Sequence, residues 1–335
     1  MTLAPQARTN ALPSGAACTI RGVLPKSLWT NDAPCTVEVP GIRGDDGRFY
    51  LCGTNSHGRS YAIWNMSGFR DAYAALPDRA APLPDMDEAN RIASFESADW
   101  GDYHPEAIAA AYNVTTVMDY FEECFARATY LGENATDART CAFVCMPETD
   151  GAGRVLGGVD NAFFLSDLDA GSRSPEPDHS GAMYFGYYGD GVRTMQVLDI
   201  TAHEFSHSIA GSTAQFVYEG ESGALDESFA DIFGVGCEMF AQEEGPEYPA
   251  HATRRADWFI GEDTGEDNPI RDFVNPASDL VSSSQAASYR DSHWADTFAV
   301  YIGDSGGVHD NSGIQNRFFY LLQSEIGPAA ALQIA

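Results

Sequence analysis

The chain has 335 residues, a formal net charge of −30 from 49 acids and 19 cations, and 44% hydrophobic residues. That length and apolar content suit a folded protein with two lobes and real cores, and exclude a disordered chain. The acidic balance argues against nucleic acid and anionic membrane surfaces as partners, and no apolar run is long enough to span a bilayer.

Residues 1–20 read as an extended arm. Residues 1–18 lack the apolar core of a signal peptide, so either a signal and pro-segment have been removed or the chain is a fragment. Lys26 is the single lysine, a usage that suits solubility in salty water. From 21 to 198 the pattern is that of a β-rich lobe with one long helix. Thr36-Val37-Glu38-Val39 alternates, Gly44-Asp45-Asp46-Gly47 turns, and Arg48-Phe49-Tyr50-Leu51 continues as a second strand. Residues 76–86 are rich in Pro and Asp and read as a loop. His104-Pro105-Glu106 opens a long amphipathic helix, with Ile108, Tyr112, Val117, Phe121 and Phe125 on its period. Ala142-Phe143-Val144 is a buried strand by composition, and Asn161-Ala162-Phe163-Phe164 ends or begins another. Residues 166–181 read as an inserted loop. A strand and a helix start then lead into the stretch that carries the chemistry.

Seven cysteines favour an oxidising, extracellular setting. Cys35 and Cys52 flank the first hairpin and can face each other across it. Cys124 can pair with Cys141 or Cys145, which are expected on one face of their strand, too far apart to bridge each other. Cys18 and Cys237 are unassigned, and the odd count leaves one thiol over.

His203-Glu204-Phe205-Ser206-His207 is an H-E-x-x-H motif. On a helix its histidines lie on one face and can offer two imidazole nitrogens to one metal ion. Glu204 can then reach a metal-bound water without being a ligand, as a general base must. A hydrolytic zinc site needs a third protein ligand. Glu227 is the candidate, on a second helix where Leu225, Phe229, Ile232 and Phe233 recur at helical spacing as a buried stripe. Asp231, one turn on, can accept the free N–H of a ligating histidine. Gly211, Ser212, Gly220 and Gly223 supply turn material between the two helices. The related pattern H-E-x-x-H-x-x-G-x-x-H is excluded, because Thr213 occupies the position of its third histidine.

This stretch resembles the thermolysin family of zinc endopeptidases, in which H-E-x-x-H is followed by G-A-x-N-E-x-x-x-D. The counterpart here is Gly223-Ala224-Leu225-Asp226-Glu227-Ser228-Phe229-Ala230-Asp231, with Asp226 where the family usually has asparagine. Tuning of the site, not its loss, is the expected result. Asp257-Trp258-Phe259-Ile260-Gly261-Glu262-Asp263 resembles the family's D-W-x-I-G-E-D, with Phe259 in place of a common acid. Asn268-Pro269-Ile270-Arg271-Asp272-Phe273 is similar to its arginine segment, and residues 306–313 match G-G-V-H-x-N-S-G.

The resemblance implies an α+β, two-lobe zincin fold: a β-rich N-terminal lobe, an incomplete helical lobe over 199–335, and the active-site cleft between them. It implies zinc on His203, His207 and Glu227, with Glu204 as base and Tyr218 and His309 stabilising the oxyanion. Asp231 and Asp304 would orient His203 and His309. Asp199, Glu238, Asp257 and Glu262 would hold one or more structural calcium ions, since clustered acids without a cation repel one another. Asn161 and Ala162 would pair with substrate backbone, Arg271 would bind a substrate carbonyl, and Ile200 and Ile270 would line an apolar pocket. The implied protein is a secreted, monomeric neutral endopeptidase, made with a pro-segment. It would cut peptides or proteins before apolar residues by Glu-assisted attack of a zinc-bound water. A second reading keeps the fold without catalysis, as a protein that binds peptides or a surface. An exopeptidase would need a group to capture a free terminus, and no motif supplies one.

Overall fold

The computed structural model describes residues 12–25, 34–68, 92–127, 139–149, 155–166, 181–188, 193–243, 257–265, 268–295 and 304–334. The loop expected over 76–86 lies outside the described residues, as do most of 166–181 and 241–256.

The chain starts with an antiparallel pair, β1 (Gly15–Val23) and β2 (Thr36–Gly44). Residues 15–20, expected in an arm, are therefore paired strand; Gly15-Ala16-Ala17 gave no alternation to reveal it. β2 shows the alternation its sequence predicts, with Val37 and Val39 buried and Thr36 and Glu38 exposed. It turns through Gly44–Gly47 into β3 (Phe49–Tyr50). β4 (Cys52–Thr54) and β5 (Ser60–Asn65) form the next hairpin, and β6 (Ser94–Phe95) closes the first sheet in the order β1-β2-β3-β6.

Helix α1 (Pro105–Phe125) follows, where the apolar period predicts it. Proline at its start suits a position whose amide has no partner in the helix. β7 (Thr140–Val144) is buried along its whole length. It is parallel to β5 on one side and to β11 (Gly181–Phe185) on the other, which accounts for its unbroken apolar run. A short hairpin, β8 (Pro147–Thr149) and β9 (Val155–Gly158), leads to β10 (Ala162–Ser166) and β11 (Gly181–Phe185). The second sheet has the order β10-β11-β7-β5-β4, with β10 on its edge. Across it Trp64, Phe143, Tyr184 and Phe163 stack in series, with ring centroids 4.9–5.1 Å apart. A further small pair, β12 (Tyr187–Tyr188) and β13 (Arg193–Thr194), precedes the next two helices.

Helix α2 (Leu198–Ser212) carries the H-E-x-x-H motif, and α3 (Gly220–Glu243) packs against it. Gly234 makes that packing close: a β-carbon there would sit 2.8 Å from the carbonyl oxygen of Asp199. The stripe expected on α3 is only partly inward. Ile232 and Phe233 are buried, but Leu225 is 42% exposed. The face turned to α2 carries Glu227 and Asp231, so the buried side of α3 is polar where it meets the site. Beyond it come β14 (Phe259–Ile260), paired with β15 (Arg271–Asp272), and then α4 (Val308–Asn311), α5 (Gly313–Ile326) and α6 (Pro328–Leu332).

α1 joins these parts. It packs on both sheets and on both metal-site helices. Phe121 stacks on Phe233 of α3 at 5.6 Å and lies 5.1 Å from Phe205 of α2, ring to ring. A second apolar cluster, with Cys52, Trp64, Cys141 and Phe143, covers the other face of the second sheet. Cys35 belongs to the α1 cluster and Cys52 to the other, so the bridge expected between them is not formed. Burial pushes the Cys35 thiol up to about 11. Cys141 and Cys145, expected on one face, also fall into different clusters, because Cys145 leaves β7 with a φ of 58°. The α+β class and the order of a β-rich part followed by a helical one agree with the expectation.

Candidate metal centre

His203 and His207 lie one turn apart on α2, and their Nε2 atoms face each other at 3.1 Å. Two zinc–nitrogen bonds of about 2.0–2.1 Å at a tetrahedral angle would set such atoms about 3.3 Å apart. Glu227 reaches in from α3, with Oε2 3.5 Å from His203 Nε2 and Oε1 3.6 Å from His207 Nε2. Its buried Oε2 has no hydrogen-bond donor among the described residues. Two converging nitrogens and an orphaned carboxylate oxygen fit a zinc ion, and these three residues form a compact group of potential ligands.

The other ring nitrogens are held in place. His203 Nδ1 donates to Asp231 Oδ1 at 2.8 Å, as expected. Asp231 also pairs with Arg271 Nη1 at 2.5 Å and accepts from Asn316 Nδ2 at 2.8 Å. Burial disfavours its charge, but Arg271 and His203 hold its carboxyl below the usual range. His207 Nδ1 donates to Asp226 Oδ1 at 3.2 Å. Burial opposes protonation of His207, yet Asp226, Glu227 and Glu204 together lift it to about 9 while no metal is bound.

Glu204 is buried beside both histidines. Burial raises its carboxyl above the ordinary range, against the pull of the two imidazoles. Tyr218, on the turn between α2 and α3, is 45% exposed, and its hydroxyl donates to Glu227 Oε1. Burial of the hydroxyl end and the Glu227 charge raise its pKa, so it stays a proton donor. His309 Nε2 lies 3.3 Å from the same Glu227 oxygen and 3.4 Å from the Tyr218 hydroxyl. Its Nδ1 donates to Asp304, whose other oxygen accepts from the His309 amide at 3.0 Å. Burial opposes a charge on His309, but Asp304 and Glu227 raise it to about 10. The backbone from Asp304 to Gly307 runs through positive φ at every residue, non-glycine Asp304 and Ser305 included. Such strain is seldom kept without a use, and here it brings Asp304 under His309.

Four acids were expected at the calcium site. Glu238, Asp257 and Glu262 converge as potential ligands. Asp199 lies beside them, but its oxygens accept from the amides of Ile200 at 2.7 Å and Gly261 at 2.5 Å. Gly261 has φ 76°, the left-handed turn that aims this amide at Asp199. Burial, then mutual repulsion, raises Glu238 and Glu262, and each has a buried oxygen without a donor among the described residues. Buried Asp263 adds to the repulsion; it stands next to Glu262 in the same motif and was passed over.

Arg271 is not a surface residue. It is 9% exposed and lies 3.8 Å from Glu227 as well as beside Asp231. Ile200 sits buried one turn before His203, and Ile270 is half-buried beside Arg271. Ala162 lies at the start of edge strand β10, which packs on α2, and Asn161 precedes it with an exposed side chain. Asn316 and Gln285 were not foreseen. Asn316 joins Ser228 to Asp231, and Gln285 holds the His309 carbonyl at 2.6 Å.

Metal ligands divided between an H-E-x-x-H helix and a glutamate on the following helix define the gluzincins, and fold and site place the chain among them. It belongs to the thermolysin metallopeptidase family: residues 45–211 match the description "Thermolysin metallopeptidase, catalytic domain" and residues 214–335 match "Thermolysin metallopeptidase, alpha-helical domain". A thermolysin of Bacillus sp. (strain EA1) is 31% identical over 231 residues, which is 69% of this chain and 35% of that one. Neutral protease NprE of Bacillus pumilus is 29% identical over 260 residues, 77% of this chain and 70% of that one. The chain thus spans about a third of the length of the Bacillus sp. thermolysin (35%) and of the Bacillus caldolyticus bacillolysin (33%) it matches. Among solved structures, the precursor of protealysin, a metalloproteinase from Serratia proteamaculans, shares the fold. Its TM-score is 0.55 at 22% identity, over 83% of this chain and 73% of that one.

Proposed function

We propose that the chain is a zinc-dependent endopeptidase. The observation that carries this reading is the position of Glu204, a buried carboxylate of raised pKa next to two histidines whose Nε2 atoms converge on one point. His203, His207 and Glu227 would hold zinc, which would supply a Lewis acid for the peptide carbonyl and for the attacking water. Glu204 takes the proton of that water and passes it to the leaving amine nitrogen. Tyr218 and His309, both held as donors beside Glu227, supply hydrogen bonds to the oxygen that gains charge. The edge of β10 offers Asn161 and Ala162 to pair with an extended substrate, and Arg271 offers donors to a substrate carbonyl. Ile200 and Ile270 favour an apolar residue after the cut bond.

Glu238, Asp257 and Glu262 hold calcium in this reading, with Asp199 orienting the loop behind them. In this reading the enzyme is secreted, and the match to a protealysin precursor supports a pro-segment. The test is hydrolysis of an internally quenched peptide before and after removal of zinc. Loss of cleavage on removal and its return on adding zinc supports the reading. Zinc binding with saturable peptide binding but no cleavage would replace it with that of a binding protein.

A further inference from the structure

We propose that Asp226 is a positioning residue for the metal. Its carboxylate fixes the ring of His207 and adds a negative charge that strengthens zinc retention beyond what a neutral amide there would give. This inference rests on the zinc reading of His203, His207 and Glu227.

Asp226 precedes Glu227 on α3 and is 9% exposed. Its Oδ1 lies 3.2 Å from His207 Nδ1, while Nε2 of the same ring faces His203 Nε2 at 3.1 Å. Both nitrogens of His207 therefore have an assigned direction. The bond to Asp226 fixes the proton on Nδ1 and leaves Nε2 as the lone-pair donor, and a carboxylate partner makes that lone pair more basic. His203 has the same arrangement with Asp231.

The two carboxylates are not equivalent. Asp231 shares its charge with Arg271 at 2.5 Å and is further bound by Asn316. Asp226 has His207 as its one ion-pair partner among the described residues. Its charge is thus left for the metal. At this position the family usually has asparagine, which can accept the same hydrogen bond but carries no charge. The substitution therefore separates bond from charge: Asp226→Asn keeps the shape and the acceptor and removes only the charge.

The experiment is zinc titration of the metal-free protein against a chromophoric chelator, with thermal unfolding of each metal-free variant alongside. Asp226→Asn should weaken zinc about tenfold and Asp226→Ala by up to about a hundredfold, the usual range for partners behind a metal ligand. Asp226→Glu, which restores the charge, should bind more tightly than Asp226→Asn. The exposed Asp279→Asn should leave affinity unchanged, which separates a local charge from the overall one. The metal-free Asp226→Asn should still unfold in one cooperative transition, with a midpoint below that of the wild type only by the lost His207–Asp226 ion pair, so that weaker zinc binding is not a loss of fold. Zinc affinity of Asp226→Asn within about twofold of wild type would overturn the inference and leave the zinc reading standing. A wild type that binds no zinc would overturn both.

Discussion

The Nδ1 atom of His203 and Oδ1 of Asp231 are 2.8 Å apart, and the same aspartate is the counter-ion of buried Arg271. One side chain on α3 thus orients the His203 imidazole on α2 and neutralises a cation from β15. Asp231→Asn removes the charge from both relationships. Breaking one partner of a buried ion pair costs about 3–5 kcal/mol. The variant should unfold at a lower denaturant concentration even without metal, and bind zinc more weakly. A metal-free protein as stable as the wild type would show that Arg271 does not depend on Asp231.

Zinc binding should release protons. Without metal, His207 is lifted to about 9, so it is protonated at neutral pH, and the metal needs its neutral form. Affinity should therefore rise with pH up to about 9, by close to tenfold per unit from this group alone. The folded value lies above the ordinary one. For the metal-free fold this adds stability that is full below the ordinary histidine pKa and is lost as pH climbs to about 9. Calorimetric titration in buffers of different ionisation enthalpy measures the released protons directly. No buffer dependence at pH 7 would contradict the geometry around Asp226 and Glu227.

The acid cluster sets a second pH dependence, with a different origin. Burial and neighbouring acids raise Asp199 to about 6 and push Glu238 and Glu262 up as well. Folded values above the unfolded ones mean that the native state binds more protons, so stability falls as pH rises through about 6. In calcium-depleted buffer the thermal midpoint should be lower at pH 7.5 than at pH 5. Calcium should raise it strongly at the higher pH and little at the lower. A midpoint indifferent to calcium at pH 7.5 would remove the cation from this site.

Phe121 ties α1 to the metal helices through Phe205 and Phe233. Phe121→Ala leaves a cavity where three helices meet and should cost about 3–5 kcal/mol. Denaturant unfolding should show a lower midpoint with an unchanged slope. A cost below about 1 kcal/mol would mean that the three helices close over the gap.

The metal centre was legible because its key spacing is local. A spacing of four positions from His203 to His207, and again from Glu227 to Asp231, is helix geometry, readable without a fold. The strands of β2 and β7 and the helix α1 were legible for the same reason. What escaped depends on contacts far apart in the chain. Asn316 meets Asp231 from 85 residues away, and no periodicity announces such a partner. Asp226 was recognised as a departure from the family motif, but its bond to His207 needed the register of α3 against α2. Leu225 was misread because the inward face of α3 is lined with site carboxylates, so apolar spacing alone pointed the stripe wrongly. The expected Cys35–Cys52 bridge ignored that β4 turns its cysteine to the opposite side of the sheet.

In the proposed reaction the other site residues bind or orient, while Glu204 moves the proton. The direct measurement compares wild type and Glu204→Gln, both loaded with zinc, on an internally quenched peptide with leucine or phenylalanine after the intended cut. The amide keeps the shape of the side chain but cannot accept the proton of water. Glu204→Gln should hold as much zinc as the wild type and turn over about 10²–10⁴-fold more slowly. Equal cleavage by the two proteins at equal zinc content would contradict it.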